Sequence, residues 1–348
     1  MRTLLTAILI GLAATCCHAE LPVFAAVDEL HEQARARIAN GQYEALLADA
    51  DRFLASRERI PDGRWKLAML LGGVRRGLKT EAHSAADWAR FDTAFEALAR
   101  KHPASPDGWL LVAVLEDSHA WALRGGGYAD TVSDDGQEGF ARHLAKARAT
   151  LQAHPAPSNP AWFELQISVA GALGENRQVL DRLFAAALKQ EPAYQQTWFS
   201  RMMFLQPKWG GTPADMLALI QQAAQPTSPT EGRGMMSRLM RYAAESGYPE
   251  VLAWPSLDWE TVKASFEDEL KAYPDDSNAQ WFFIQACTHG DRSEARHLLD
   301  FVKQPPSPIL FGAAGFAFDG AAAWARGQAA SFMMIDPVTG QPRRVRVR

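Results

Sequence analysis

The chain has 348 residues, of which 47% are hydrophobic and 22% are charged, and its formal net charge is -4. This balance is typical of a folded protein with a sizeable core and excludes a disordered chain. The charges are dispersed, without the basic face that binding a phosphate backbone requires, so we expect no nucleic-acid partner.

The first residues have the pattern of a secretory signal peptide. Arg2 precedes an apolar run from Leu4 to Ala14, and the small residue Ala19 ends the segment. The run is shorter than the roughly 20 apolar residues that a membrane-spanning helix needs. We therefore predict a signal peptide over residues 1–19, cleavage after Ala19, a periplasmic or secreted mature chain, and no transmembrane span.

Cysteines near this cleavage site raise an alternative, a lipoprotein whose modified cysteine becomes the first residue. Such processing favours a leucine three positions before the cysteine, but Ala13 and Ala14 stand there before Cys16 and Cys17, so the sequence disfavours a lipid anchor. After cleavage at Ala19 only Cys287 remains, and a single cysteine cannot form an internal disulfide. We predict that Cys287 is a small buried hydrophobe.

Apolar residues recur at helical spacing from about Val27 to Lys303, and one stripe is formed by Trp88, Phe91, Phe95 and Leu98. Helix starts carry a capping side chain followed by a proline or by a carboxylate three positions later. Five segments have this pattern: Ser84–Asp87, Asn159–Pro160, Thr212–Asp215, Ser228–Glu231 and Asp291–Glu294. They predict many helices of moderate length joined by short turns.

A recurrent unit combines a proline with a tryptophan shortly after it. The pairs are Pro103 with Trp109, Pro155 with Trp162, Pro192 with Trp198, and Pro274 with Trp281. The interval from Trp162 to Trp198 is close to the roughly 34 residues of a tetratricopeptide helix hairpin. We therefore predict an all-α fold of stacked antiparallel helix hairpins over residues 20–303, a tetratricopeptide-like α-solenoid. The alternative is a closed α/α toroid, which also consists of successive helix hairpins.

The end of the chain, residues 304–348, has a different composition. The Gly-, Ala- and Phe-rich stretch from Pro308 to Ala330 predicts a buried cap helix over the last hairpin. Two extended runs then flank a turn at Asp336–Gly340, which predicts a small β-hairpin. A frayed basic tail is the alternative.

Several segments resemble a known family. Ala120–Gly125, Pro160–Phe163 and Leu205–Gly211 are similar to segments of the bacterial family called domain of unknown function 4034. The resemblance covers about residues 40–245. It implies an all-helical, repeat-like protein of Gram-negative bacteria, and it implies no activity because that family has no established reaction or substrate.

The sequence offers little catalytic chemistry. Glu116 and His119 would share one helix face, as half of a dinuclear metal site does, but no second pair follows. No nucleophile elbow and no phosphate-binding glycine loop occurs. We therefore assign no catalytic residue, no metal and no cofactor.

Aromatic and cationic side chains near helix ends suggest a binding surface instead. Trp121, Arg124, Tyr128 and Trp209 are the candidates, and their role would be to hold a peptide or another envelope protein on a concave face. Trp209 has a second interpretation, packing between two hairpins where the following glycines permit close approach. We predict a non-enzymatic binding scaffold. The alternative is a toroidal enzyme that acts on envelope glycan and uses the same aromatics as sugar platforms.

Overall fold

The computed structural model describes residues 21–80, 83–127, 131–303 and 306–347. Within them the chain forms sixteen α-helices and one two-stranded sheet, which confirms the predicted all-α fold with a small C-terminal β-hairpin. The predicted signal peptide lies outside the described residues. The helices are α1 Pro22–Ala39, α2 Tyr43–Ser56, α3 Lys66–Thr80, α4 Ala85–Lys101, α5 Gly108–Arg124, α6 Asp134–Ala153, α7 Pro160–Ala172, α8 Arg177–Gln190, α9 Gln195–Met203, α10 Pro213–Gln222, α11 Gly234–Glu245, α12 Trp259–Ala272, α13 Asp276–His289, α14 Arg292–Leu298, α15 Pro308–Ala313 and α16 Phe318–Ala325.

The helices form two layers, as a helical-repeat array does. The odd-numbered helices from α1 to α11 make one row, in which each contacts the next odd-numbered helix. Even-numbered helices cover this row, and α6, α8, α10, α12 and α14 each pack against a neighbouring odd-numbered helix. None of the described helices combines the length and the apolar character that are needed to cross a bilayer.

The proline–tryptophan unit has a clear structural role. The indole N–H of Trp198 donates to the Pro192 carbonyl at 2.8 Å, and that of Trp162 donates to the Leu151 carbonyl at 3.2 Å. Trp162 thus ties α7 to the last turn of α6, where carbonyl groups lack intrahelical partners, and Trp198 ties α9 to the turn that follows α8. Trp198 is buried in the core, and Trp162 packs half-buried against it.

Four of the five predicted helix starts are confirmed. Ser84 and Thr212 form complete capping boxes, and Asn159 and Asp291 cap α7 and α14. The prediction at Ser228 is wrong, because residues 228–232 form a tight turn and α11 begins only at Gly234. The physical reason is a set of tertiary contacts that the Glu231 carboxylate makes.

Glu231 turns away from the backbone it was expected to cap. Its carboxylate accepts hydrogen bonds from Arg59 Nη2 at 3.1 Å and from the Tyr273 hydroxyl at 3.0 Å. Glu231 is also buried, at 4% exposure. Because a buried carboxylate is strongly destabilised unless it is paired, these distant partners outweigh a local helix cap.

The connection between α2 and α3, residues 57–65, contacts helices far along the chain. Gln195 of α9 donates to the Gly63 carbonyl at 3.0 Å. Arg238 of α11 and Asn278 of α13 donate to the Asp62 carbonyl at 2.7 and 3.3 Å. This connection directly precedes α3, near the start of the row, whereas α9 and α11 lie at the other end of the row. The row of odd-numbered helices must therefore curve back toward its start. We call the side of the row that meets residues 57–65 the inner face.

The C-terminal segment covers the last helix pair, although not with the single cap helix that we predicted. Gly315, at a φ of 77°, ends the short helix α15, and α16 follows as a separate helix. Strands β1 (Phe332–Ile335) and β2 (Pro342–Val345) then pair in antiparallel register. Phe332 packs on Trp324 of α16, with ring centroids 5.2 Å apart, which gives the hairpin the support that isolated hairpins lack in water.

Candidate functional site

Three of the four predicted surface residues lie together at the ends of α5 and α9. Trp121 is in the last turn of α5, and Trp209 lies in a short 3-10 helix, Pro207–Trp209, that follows α9. Their ring centroids are 6.2 Å apart and nearly perpendicular, and Arg124 Cζ lies 5.5 Å from the Trp121 ring. The fourth predicted residue, Tyr128, lies outside the described residues.

A second cation, which the sequence analysis missed, completes this aromatic cluster. Lys79, in the last turn of α3, places Nζ 5.3 Å from the Trp121 ring. Trp121 and Trp209 are half-buried, so each keeps part of its ring in solvent. Two cations beside a partly exposed tryptophan form a surface that can contact aromatic, acidic or extended polar groups. We call Lys79, Trp121, Arg124 and Trp209 the tryptophan patch.

The position of Trp209 depends on the glycines after it. A Cβ atom on Gly211 would lie 2.0 Å from the Leu205 carbonyl oxygen, so only glycine lets the chain fold back on the end of α9. Trp209 then packs on Phe204, with ring centroids 5.3 Å apart, while its outer edge meets Trp121. Both interpretations of Trp209 therefore hold in part: the side chain fills a gap and also remains partly exposed.

A buried ionic network underlies the patch. Arg75 of α3 bonds Glu164 of α7 at 2.8 Å and lies 3.8 Å from Asp117 of α5. Ser200 of α9 donates to the other oxygen of Glu164 at 3.0 Å. Burial raises the pKa of Asp117 to about 6, although Arg75 opposes that rise. The network ties four helices of the row together and fixes the turn of α5 that carries Trp121, one turn after Asp117.

Glu116 and His119, which we considered as half of a metal site, contact other side chains instead. Glu116 binds His143 Nδ1 at 2.6 Å, and the His119 ring stacks on Trp88 at 3.9 Å between centroids. Burial and the nearby His143 lower the pKa of His119 to about 4. In the part of the chain that the structure describes, no group of three or more metal-ligating side chains comes together.

A cavity of about 280 Å³ lies on the inner face. Its wall combines residues from α9, α11 and α13 with the start of α1 and the α2–α3 connection. Charged and aromatic side chains dominate the lining: Phe24, Asp62, Arg64, Phe199, Arg238, Arg241, Tyr242, Glu245 and Trp281. We call it the central cavity.

The arginines of α11 are held by one carboxylate behind the cavity wall. Glu269 of α12 is 1% exposed, pairs with Arg241 Nη2, and lies 3.4 Å from Arg238 Nη1. Arg241 Nη1 donates to Asn278 at 2.9 Å, and Ser237 donates to Glu269 at 2.6 Å. These bonds lock both guanidinium groups in place before any ligand arrives.

Arg64 is held from the opposite wall. Asp62 accepts hydrogen bonds from Arg64 Nε at 2.7 Å and from the Arg64 backbone N–H at 3.0 Å. Burial alone would raise the pKa of Asp62, and the positive charges of Arg64 and Arg238 outweigh it and lower that pKa. The lowered pKa favours the ionised form of Asp62, which holds the Arg64 guanidinium in the cavity wall.

These cavity residues were not predicted, although the sequence of α11 carries a signal for them. Arg238, Arg241, Tyr242 and Glu245 recur at spacings of three, four and seven residues, which places them on one face of α11. Such a stripe normally indicates a face exposed to solvent. Here the α2–α3 connection covers it, and nothing local to α11 indicates that contact.

Comparison of the chain with family models, with curated proteins and with solved structures gives no match. The resemblance to the domain of unknown function 4034 therefore stays a prediction. The tryptophan patch and the central cavity are the features of the chain that bear on its function.

Proposed function

We propose that this chain is a non-enzymatic binding protein of the cell envelope that holds an extended peptide, or an extended segment of another protein. The tryptophan patch is the observation that carries this proposal. Four side chains from three separate elements converge there, and both tryptophans stay partly exposed. Tryptophan and arginine are among the side chains that most often dominate protein interfaces.

The length of α9 suits a peptide ligand that runs from the cavity toward the patch. Gln196, in the first turn of α9, lines the central cavity, and Trp209 lies six residues after α9 ends at Met203. The nine residues of α9 span about 13 Å. An extended chain covers that length in about four residues, and a hexapeptide exceeds it.

Three carboxylates near the patch and the cavity are held by arginines, which favours binding over proton transfer. Arg75 engages Glu164, Arg64 engages Asp62, and Glu269 is paired with Arg241. Hydrogen bonds to arginine fix these carboxylates in position, which stabilises a preformed surface.

The test is capture followed by measurement of affinity. Tagged mature chain, residues 20–348, would be cross-linked mildly in its native envelope, and the captured protein would be purified. Trp121→Ala should then weaken its binding about 30-fold, which corresponds to about 2 kcal/mol for a central tryptophan. Arg326→Gln, at an exposed position of the C-terminal segment, is the control for general surface charge and should bind normally. Equal affinity of all three proteins would refute the role of the patch.

One observation favours the alternative, an enzyme acting on envelope glycan. Asp117 lies one turn before Trp121, and its pKa of about 6 is near that of a general acid. Its 4% exposure argues against contact with a substrate. Release of reducing ends from purified envelope glycan by the wild-type chain, abolished by Asp117→Asn, would move this function to first place.

A further inference from the structure

The central cavity contains an arginine whose binding atoms are available. Arg64 uses its Nε and its backbone N–H to contact Asp62, and its side chain is 28% exposed. No acceptor for its two terminal nitrogens occurs among the described residues. The guanidinium is therefore oriented by one carboxylate and still has a free edge of two N–H donors, the geometry that binds a second carboxylate in a bidentate manner.

The cavity wall combines three arginines with three carboxylates. Arg64, Arg238 and Arg241 face Asp62 and Glu269, and Glu245 also lines the wall, where desolvation raises its pKa. Arg238 is 3% exposed, and its Nε has no hydrogen-bond partner in the part of the chain that the structure describes. A buried donor without a partner is costly, so an anionic group that accepted a hydrogen bond here would be stabilised.

Aromatic rings lie beside these charged side chains. Phe199 and Tyr242 stack with centroids 4.7 Å apart and planes 4° from parallel, and Trp281 contributes to the same cavity wall. A ligand that satisfies both features carries an anionic group attached to an apolar body. The volume, about 280 Å³, limits that body to a small group or to the end of a larger molecule.

We propose that the central cavity binds the C-terminal carboxylate and the last, apolar side chain of a peptide ligand. Arg64 contacts the carboxylate, and the Phe199–Tyr242 stack contacts the side chain. This inference rests on the proposed function and adds the direction in which the peptide binds. The peptide ends in the cavity, and the residues before its end pass the mouth, where Glu245 at the end of α11 is exposed, toward the tryptophan patch.

Two peptide pools that differ in one group test the proposal. A random hexapeptide pool with free C-terminal carboxylates and the same pool with C-terminal amides would each be passed over the immobilised mature chain. Mass spectrometry would identify what is retained. We expect at least ten-fold more retention of the free-carboxylate pool, with apolar or aromatic residues enriched at the last position. Equal retention of the two pools would overturn the cavity assignment and leave peptide binding intact, whereas no retention of either pool would overturn both.

Variants of the chain then test whether Arg64 contacts the C-terminal carboxylate of the peptide. Arg64→Gln should abolish the preference for a free carboxylate, and Arg64→Lys should retain part of it because charge remains without the two-pronged geometry. Arg326→Gln is the matched control and should behave as wild type. Circular dichroism would verify that each variant folds. If Arg64→Gln does not fold, the comparison of the two pools on the wild-type chain still decides the question. A folded Arg64→Gln variant that keeps the full preference would overturn the role of Arg64.

Discussion

Replacing Glu269 by Gln should destabilise the protein strongly, because this one carboxylate faces two buried arginines. Arg241 pairs with it, Arg238 lies 3.4 Å away, and Ser237 donates to it at 2.6 Å. The variant leaves both guanidinium groups buried without this counter-charge. Removing one partner of a buried ion pair costs about 3–5 kcal/mol.

We expect a loss near the lower end of that range, about 3 kcal/mol, for two structural reasons. Asp62 remains as a second negative charge close to Arg238, since Arg238 donates to its backbone carbonyl. The glutamine carbonyl can also still accept the hydrogen bond from Ser237. A loss of this size is a large fraction of the roughly 5–15 kcal/mol that stabilises a typical domain.

Urea unfolding followed by circular dichroism measures the effect. With a slope of about 3 kcal/mol per molar urea, the midpoint should fall by about 1 M. Glu267→Gln makes the same chemical change at an exposed position on the same helix, and it should shift the free energy of unfolding by no more than about 0.5 kcal/mol. Equal midpoints for the two variants would refute the reasoning.

A double-mutant cycle identifies the partner. Arg241→Gln alone should also destabilise, since Glu269 would keep only Arg238 as a counter-charge. The combined variant should lose less than the sum of the two single losses, by about 1–3 kcal/mol. Strictly additive losses would show that Arg241 and Glu269 do not interact directly.

Three further outcomes are expected. Gly63→Ala should destabilise by at least about 2 kcal/mol more than Gly174→Ala in urea unfolding, because both glycines have a positive φ but a Cβ atom at Gly63 would also meet other side chains at 2.4–2.5 Å. The pKa of His119, lowered to about 4, makes the native state bind fewer protons than the unfolded state, so stability should fall as pH decreases from about 6.5 toward 4. His119→Asn should make stability depend less on pH in this range. If the urea midpoint of this variant changes with pH as steeply as that of the wild type, the prediction is wrong. The thiol of Cys287 is fully buried and its pKa is raised by burial, so a thiol reagent should modify Cys287 only after unfolding.

Local signals in the sequence are sufficient to predict the helices. Apolar periodicity and capping side chains act within a few residues, so Ser84 and Thr212 could be recognised as helix starts from their neighbours alone. The failure at Ser228 has a different origin. Its partner residue Glu231 binds Arg59 and Tyr273, which lie far away in the chain, and no local pattern indicates those contacts.

The same distinction separates the two parts of the candidate site. Trp121, Arg124 and Trp209 could be selected because they fall near helix ends rather than within the apolar stripes of the helices. Arg64 looks like an ordinary loop residue. Its role depends on Asp62, and on the contacts that bring residues 57–65 to α11, so it emerges only in three dimensions.

The α2–α3 connection therefore links the stability of the fold to the orientation of Arg64 in the central cavity. Arg238 and Asn278 hold it through the Asp62 carbonyl, and Gln195 holds it through the Gly63 carbonyl. These bonds join side chains to backbone, so they fix the position of the segment whatever its own side chains are. Since Arg64 is oriented only while that segment is in place, loosening the connection should weaken ligand binding before the helices unfold. The central cavity is thus better understood as a product of long-range polar contacts than as a gap left between helices.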